Sequence, residues 1–172
     1  PNRAADVPGL VVGGSDADPS LLYTIDYRWE NDSDVNDFDV VRIQGDSATL
    51  LSRTTIAGWV GNVIVQDGNA YFSSQHYDDG TGASTSALHV LDLSDASAPV
   101  DHPAPSKKGW GWLLGVQGDR AVMTSGWGWS GIDIYKLDGS QAPAYDQFVR
   151  TLGWWGWGGL ARQDDTLFVV TG

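Results

Sequence analysis

Cysteine is absent from this chain and methionine occurs once. Without thiols there is no disulfide framework, no thiolate zinc site and no cysteine nucleophile. Basic residues are also scarce, 10 Lys and Arg against 22 Asp and Glu, for a formal charge of −12. A nucleic-acid backbone is repelled by such a surface, so nucleic-acid binding is disfavoured. No apolar run approaches the roughly 18 to 20 residues a membrane helix requires, so no membrane span is expected. No stretch holds helical periodicity over ten residues, because glycines interrupt every one. The opening "PNRAADVPGL" has no initiator Met and no apolar leader, and it reads as a mature or excised piece.

Catalytic signatures are equally sparse. No G-x-S-x-G is present, and the three histidines, His76, His89 and His102, have no H-E-x-x-H spacing. "GWGWSG" (Gly126–Gly131) fits G-x-G-x-x-G, but a strand pattern follows it where a dinucleotide site needs a helix. "GDS" (Gly45–Ser47) falls in a turn whose counterparts in the other repeats carry no such chemistry.

What the chain has in excess is glycine and tryptophan, 22 and nine residues, and they recur in phase. Three hexapeptides share one apolar/polar mask: "FDVVRI" (Phe38–Ile43), "LHVLDL" (Leu88–Leu93) and "IDIYKL" (Ile132–Leu137). Each leads into a turn-rich stretch and then to a Gly-Trp mark, at Trp59, Trp110 and Trp155. The marks recur after about 50 and then about 45 residues, within the ~40 to 50 of propeller blades. The middle unit divides into four short strands near 62–66, 70–74, 87–93 and 99–105, separated by turn signals. The expectation is an all-β β-propeller segment of about three four-stranded blades plus part of another, with units 8–58, 59–109, 110–154 and 155–172. A β-sandwich is the alternative, but it leaves the in-phase Gly-Trp marks without a reason.

"LHVLDLSDASAPV" (Leu88–Val100) resembles the strand-turn repeat of bacterial secreted β-propeller proteins, an apolar strand followed by Asp-Leu-Ser-Asp-Pro and then Pro-Val. It departs from that pattern at Ala96, where the family has Pro. The resemblance implies the fold class and an extracellular, cell-surface or periplasmic location.

Several residues are marked as candidates. Asp32, Asp34 and Asn36 alternate like the first ligands of a calcium loop, with Asp37 at the usual glycine position. Calcium is therefore the one cofactor to consider, against a solvated acidic loop spanning Glu30–Asp39. Trp59, Trp110 and Trp155, one per unit, are expected at blade junctions. Trp112, Trp127, Trp129, Trp154, Trp157 and Tyr77 are ligand-contact candidates, since indoles beside glycines on a loop rim form platforms for flat apolar faces. His89 shares its hexapeptide place with Asp39 and Asp133 and is expected to be a plain strand residue.

The expected function is a non-catalytic binding or scaffold module with glycan or protein as ligand. A purely structural part of a larger propeller predicts the same tryptophans buried, and an enzyme predicts a polar pocket completed by another chain or segment. Three units and a fraction fall short of the ~four blades a propeller needs. The final "TLFVVTG" is only a second strand. Another polypeptide, a second fragment of the same precursor or a second copy, is thus the expected partner.

Overall fold

A computed structural model describes residues 10–14, 18–30, 33–126, 131–150, 160–163 and 166–169. Every regular element among them is a β-strand, and all pairing is antiparallel. The first sheet runs β1 (Leu10–Gly14), β2 (Leu21–Glu30), β3 (Ser33–Gln44) and β4 (Ser47–Ala57), hydrogen-bonded in chain order. The second repeats that meander with β5 (Trp59–Gln66), β6 (Asn69–Asp78), β7 (Ala83–Asp92) and β8 (Val100–Pro103), and a short β9 (Lys107–Lys108) also pairs with β7. The third is β10 (Leu113–Gln117), β11 (Arg120–Ser125), β12 (Gly131–Lys136) and β13 (Ala144–Arg150). A final pair, β14 (Leu160–Gln163) and β15 (Thr166–Val169), forms a two-stranded ladder.

The mask of the hexapeptides explains how these sheets stack. Alternate residues of a strand face opposite ways, so a strand apolar on both faces is covered on both. In the second sheet, Ala70, Phe72, Leu91 and Leu93 join Leu21, Tyr23, Phe38 and Val40 of the first sheet in one core. From its other face, Tyr71, Leu88 and Val90 join Leu113, Ala121, Met123 and Tyr135 of the third in another. The second sheet is therefore sandwiched. The first strands of the sheets lie nearest one another: β5 contacts β1, and β10 contacts β5 and β6.

Two local expectations are corrected. The strands of the middle unit are longer than turn signals alone indicate: β6 continues to Asp78 and β7 begins at Ala83. Likewise Glu30–Asp39 is mostly strand and not an acidic loop, because the β2–β3 ladder is unbroken from Leu21↔Arg42 to Glu30↔Ser33. Its described carboxylates, Glu30, Asp34, Asp37 and Asp39, alternate onto two faces and find partners there, which removes the repulsion that a solvated loop would relieve.

The second place of each hexapeptide is polar yet buried in all three sheets, at Asp39, His89 and Asp133. Burial of such groups is costly unless they are paired. Asp39 accepts both Nε (2.7 Å) and an Nη (2.6 Å) of Arg53. Asp133 lies 2.7 Å from Lys107 Nζ, which crosses from the second sheet and stands 4.1 Å above the Tyr145 ring. His89 is bonded on both ring nitrogens, to Ser74 and Asp101, which is more than a plain strand residue needs.

Candidate functional site

Antiparallel order places the β2–β3 and β6–β7 hairpins at the same end as the β4–β5 and β9–β10 connections. The Gly-Trp marks build that end. Gly58 N–H donates to Asp34 O and Gly109 N–H to Ser84 O, each at 2.8 Å, one sheet apart. Both glycines have left-handed backbones, φ +89° and +92°, which turn the chain from the outer strands of one sheet to the first strand of the next. A Cβ at Gly58 would sit 2.4 Å from Gln75 O. No larger residue fits there without moving the β5–β6 ladder.

The tryptophans that follow pack on one another. Trp59 meets Trp112 edge-on with ring centroids 4.6 Å apart, and Trp110 stacks on Trp112 at 5.9 Å. All three are half-buried. Trp112 also covers Gly61, where a Cβ would approach its Cε3 to 3.0 Å. Expected by sequence to face a ligand, Trp112 thus stands with the junction pair. Beneath the cluster, buried Gln75 donates to Gly111 O (2.6 Å) and Leu113 N–H donates to Ser73 Oγ (3.1 Å), tying β6 to the chain entering β10.

Beyond this cluster the hairpins carry exposed rings. Tyr27 is 51% exposed, Trp29 59% and Tyr77 50%. Large apolar groups in that state at one end are more informative than scattered surface apolars. Trp29 and Tyr77 hold matching places in β2 and β6, opposite Asp34 and Ser84. The place of Tyr27 is taken by buried Gln75, two residues short of the Tyr77 that the 50-residue spacing matches to it. Tyr27 donates its hydroxyl to Asp34 Oδ1 at 2.6 Å, and this bond pushes its phenol ionisation up. Glu30, Asp34, Asp78 and Asp79 stand on the same two hairpins, with Asp34 bonded to Tyr27, Glu30 paired with Arg28 and Asp78 receiving N–H bonds from Gly80 and Thr81. The Thr81 side chain first, and then those backbone bonds, hold the Asp78 carboxyl below the usual range. Such an end offers flat apolar faces for stacking and carboxylate oxygens for hydroxyl or amine donors.

Trp29 escapes repeat matching because the 50-residue spacing of the hexapeptides sets it against Asp79, whereas the strand register sets it against Tyr77, 48 residues on. The signal was the alternation of Tyr27 and Trp29 along one strand face. Trp127, Trp129, Trp154, Trp155 and Trp157 lie outside the described residues.

The calcium candidates are not gathered. Asp34 and Asn36 point to one face of β3 and Asp37 to the other, as strand alternation requires. Asp34 is engaged by Tyr27, Asn36 donates to Gly58 O at 2.7 Å, and Asp37 accepts from Arg28 and Thr55. Asp32 lies outside the described residues, among which no three His, Asp or Glu residues converge on a metal position.

The opposite end is built of short turns. Between the first two sheets it has a shallow cavity lined by Leu21, Tyr23, Leu51 and Leu93, with Asp18, Arg42 and Asp95 at its polar margin.

No protein-family model, curated protein or solved structure matches the chain.

Proposed function

We propose that this chain is a β-propeller segment of a secreted or cell-surface protein and acts as a binding module, its connection end taking a glycan. The exposure of Tyr27, Trp29 and Tyr77 among carboxylates at one end carries this reading. Sugar rings present apolar C–H faces that stack on aromatic rings and equatorial hydroxyls that donate to carboxylates, so one ligand class uses both features. The propeller part is supported by four-stranded meanders that follow one another in chain order with their first strands closest. A ring of such sheets needs about four or more, against three four-stranded meanders among the described residues.

Isothermal titration with cello-, xylo- and chito-hexaose tests the reading. Binding of at least one, weakened about tenfold or more (~1.4 kcal/mol) by Trp29→Ala and by Tyr77→Ala, is the expected result. Because both side chains are exposed, the melting temperature should stay within about a degree. Affinity indifferent to both substitutions, or no binding across the panel, would overturn it.

A further inference from the structure

One side-chain group in the second sheet has a chemistry that neither the core nor the aromatic end explains. Ser74 on β6, His89 on β7 and Asp101 on β8 lie across three neighbouring strands, on the face toward the first sheet. Ser74 Oγ is 2.8 Å from His89 Nε2, and His89 Nδ1 is 2.9 and 3.1 Å from the two Asp101 oxygens. The directions of these bonds are fixed by chemistry. A carboxylate only accepts, so Asp101 keeps the proton of neutral His89 on Nδ1. Nε2 is then an acceptor, and the Ser74 hydroxyl donates to it. Phe72 stacks on the imidazole at 4.8 Å with planes 14° apart, which locks the ring. The result is a hydroxyl polarised by a base whose tautomer is set by a carboxylate.

The repeat shows that the fold does not demand this arrangement. At the same hexapeptide place the first and third sheets bury an aspartate against a cation, Arg53 or Lys107. Those ion pairs offset the charge of a buried carboxylate and create no nucleophile. Only the second sheet puts a base there, with a hydroxyl on one side and an acid on the other. The group also reaches solvent: Ser74 is half-buried, and the side chains of His89 and Asp101 are 10% and 24% exposed.

We propose that Ser74 is a nucleophile, activated by His89 and oriented through Asp101, that accepts acyl groups from small carboxylic esters. Ser74 Oγ bonds to the ester carbonyl carbon while its proton passes to His89 Nε2 and the carbonyl electrons move to oxygen. Collapse breaks the bond to the alcohol oxygen, which leaves with the proton from Nε2. Water then repeats the sequence on the acyl-serine and releases the carboxylic acid, restoring the serine. Asp101 is a positioning residue, since it acts through His89. Half-burial limits the substrate to small or flat acyl groups.

The experiment treats the whole chain with excess diisopropyl fluorophosphate and maps the modified peptide by mass spectrometry. Reaction forms an Oγ–P bond at Ser74 and expels fluoride. The expected result is one diisopropylphosphoryl group on Ser74, with the labelling rate reduced about 100-fold or more by Asp101→Asn, together with an acetyl-Ser74 adduct from p-nitrophenyl acetate. A folded wild-type chain left unlabelled at Ser74, or labelled there no faster than other exposed serines, overturns the proposal. Should Asp101→Asn fail to fold, a Ser74→Cys variant decides through access. A thiol open to iodoacetamide beside an inert wild-type serine leaves the trio as a cross-strand tie, and a closed thiol excludes a substrate altogether.

Discussion

Gly58 carries a backbone that only glycine adopts readily, and the space its Cβ would need is filled by Gln75 O. Gly58→Ala should therefore cost at least about 1–3 kcal/mol, seen as a lower denaturation midpoint with an unchanged denaturant slope. Electrostatics at the outer face of the first sheet gives a second prediction. Burial first, and then the neighbouring charge of Asp39, pushes the Asp26 carboxyl up, with Arg53 opposing and Asp37 adding to the rise. Its Oδ1 is buried without a hydrogen-bond partner among the described residues. A raised native value means that the folded chain holds this proton where the unfolded chain has lost it. The charged form then destabilises the fold, fully so above the raised value. Asp26→Asn should raise the melting temperature at pH 7, and the gain should fade as pH falls through that value into the ordinary carboxylate range. A melting profile of both chains from pH 7 to pH 4 measures it.

Strands place these residues by period-two alternation, and the short elements that join them depend on aspartate. In the loop between β7 and β8, Asp92 accepts from Ser94 N–H at 2.8 Å and Asp95 from Ser97 N–H at 2.9 Å and its hydroxyl at 2.6 Å. These bonds hold both carboxyls below the usual range, led by the Ser94 backbone for Asp92 and by the Ser97 side chain for Asp95. Depressed values stabilise above the ordinary carboxylate range and lose that effect as pH falls through the native value. Asp95→Ala should lower stability at neutral pH and narrow its difference from the wild type in acid, a trend opposite to Asp26 within the same titration. Between elements, Arg53 joins β4 to β3 by capping Asp39 and approaching Asp37. Removing one partner of a buried pair costs about 3–5 kcal/mol. With Arg53 48% exposed, water replaces part of the lost interaction, so Arg53→Met should cost about 1–2 kcal/mol.

At the scale of the molecule the middle sheet is packed on both faces, and that asymmetry should govern its dynamics. Amides of β6 and β7 should exchange with deuterium more slowly than those of β3 and β4, since opening them exposes two cores instead of one. Peptide-level exchange mass spectrometry reads this directly, and faster exchange in β6 would contradict the stacking. Phe72 is fully buried in the core shared by the first two sheets. Phe72→Ala should cost about 3–5 kcal/mol, and it should accelerate exchange in both β6 and β3. A change confined to the second sheet would mean that the two sheets open independently.

Residue type and spacing alone determined the all-β character, because glycine at every turn and a repeated apolar mask leave no helix to form. They also determined the paired roles of Gly58 and Gly109, whose recurrence marks a backbone requirement met at both described connections from one sheet to the next. Register was beyond their reach. Ser74, His89 and Asp101 are 15 and 12 residues apart, and nothing in that spacing announces a hydrogen-bonded line. Only the pairing of three strands brings them side by side. The same pairing divided the acidic run of β3 between two faces, separating Asp34 and Asn36 from Asp37. The environment of Trp112 was likewise decided by stacking. A strand's alternation tells which face a side chain takes, whereas the neighbouring sheet decides whether that face meets solvent or another indole.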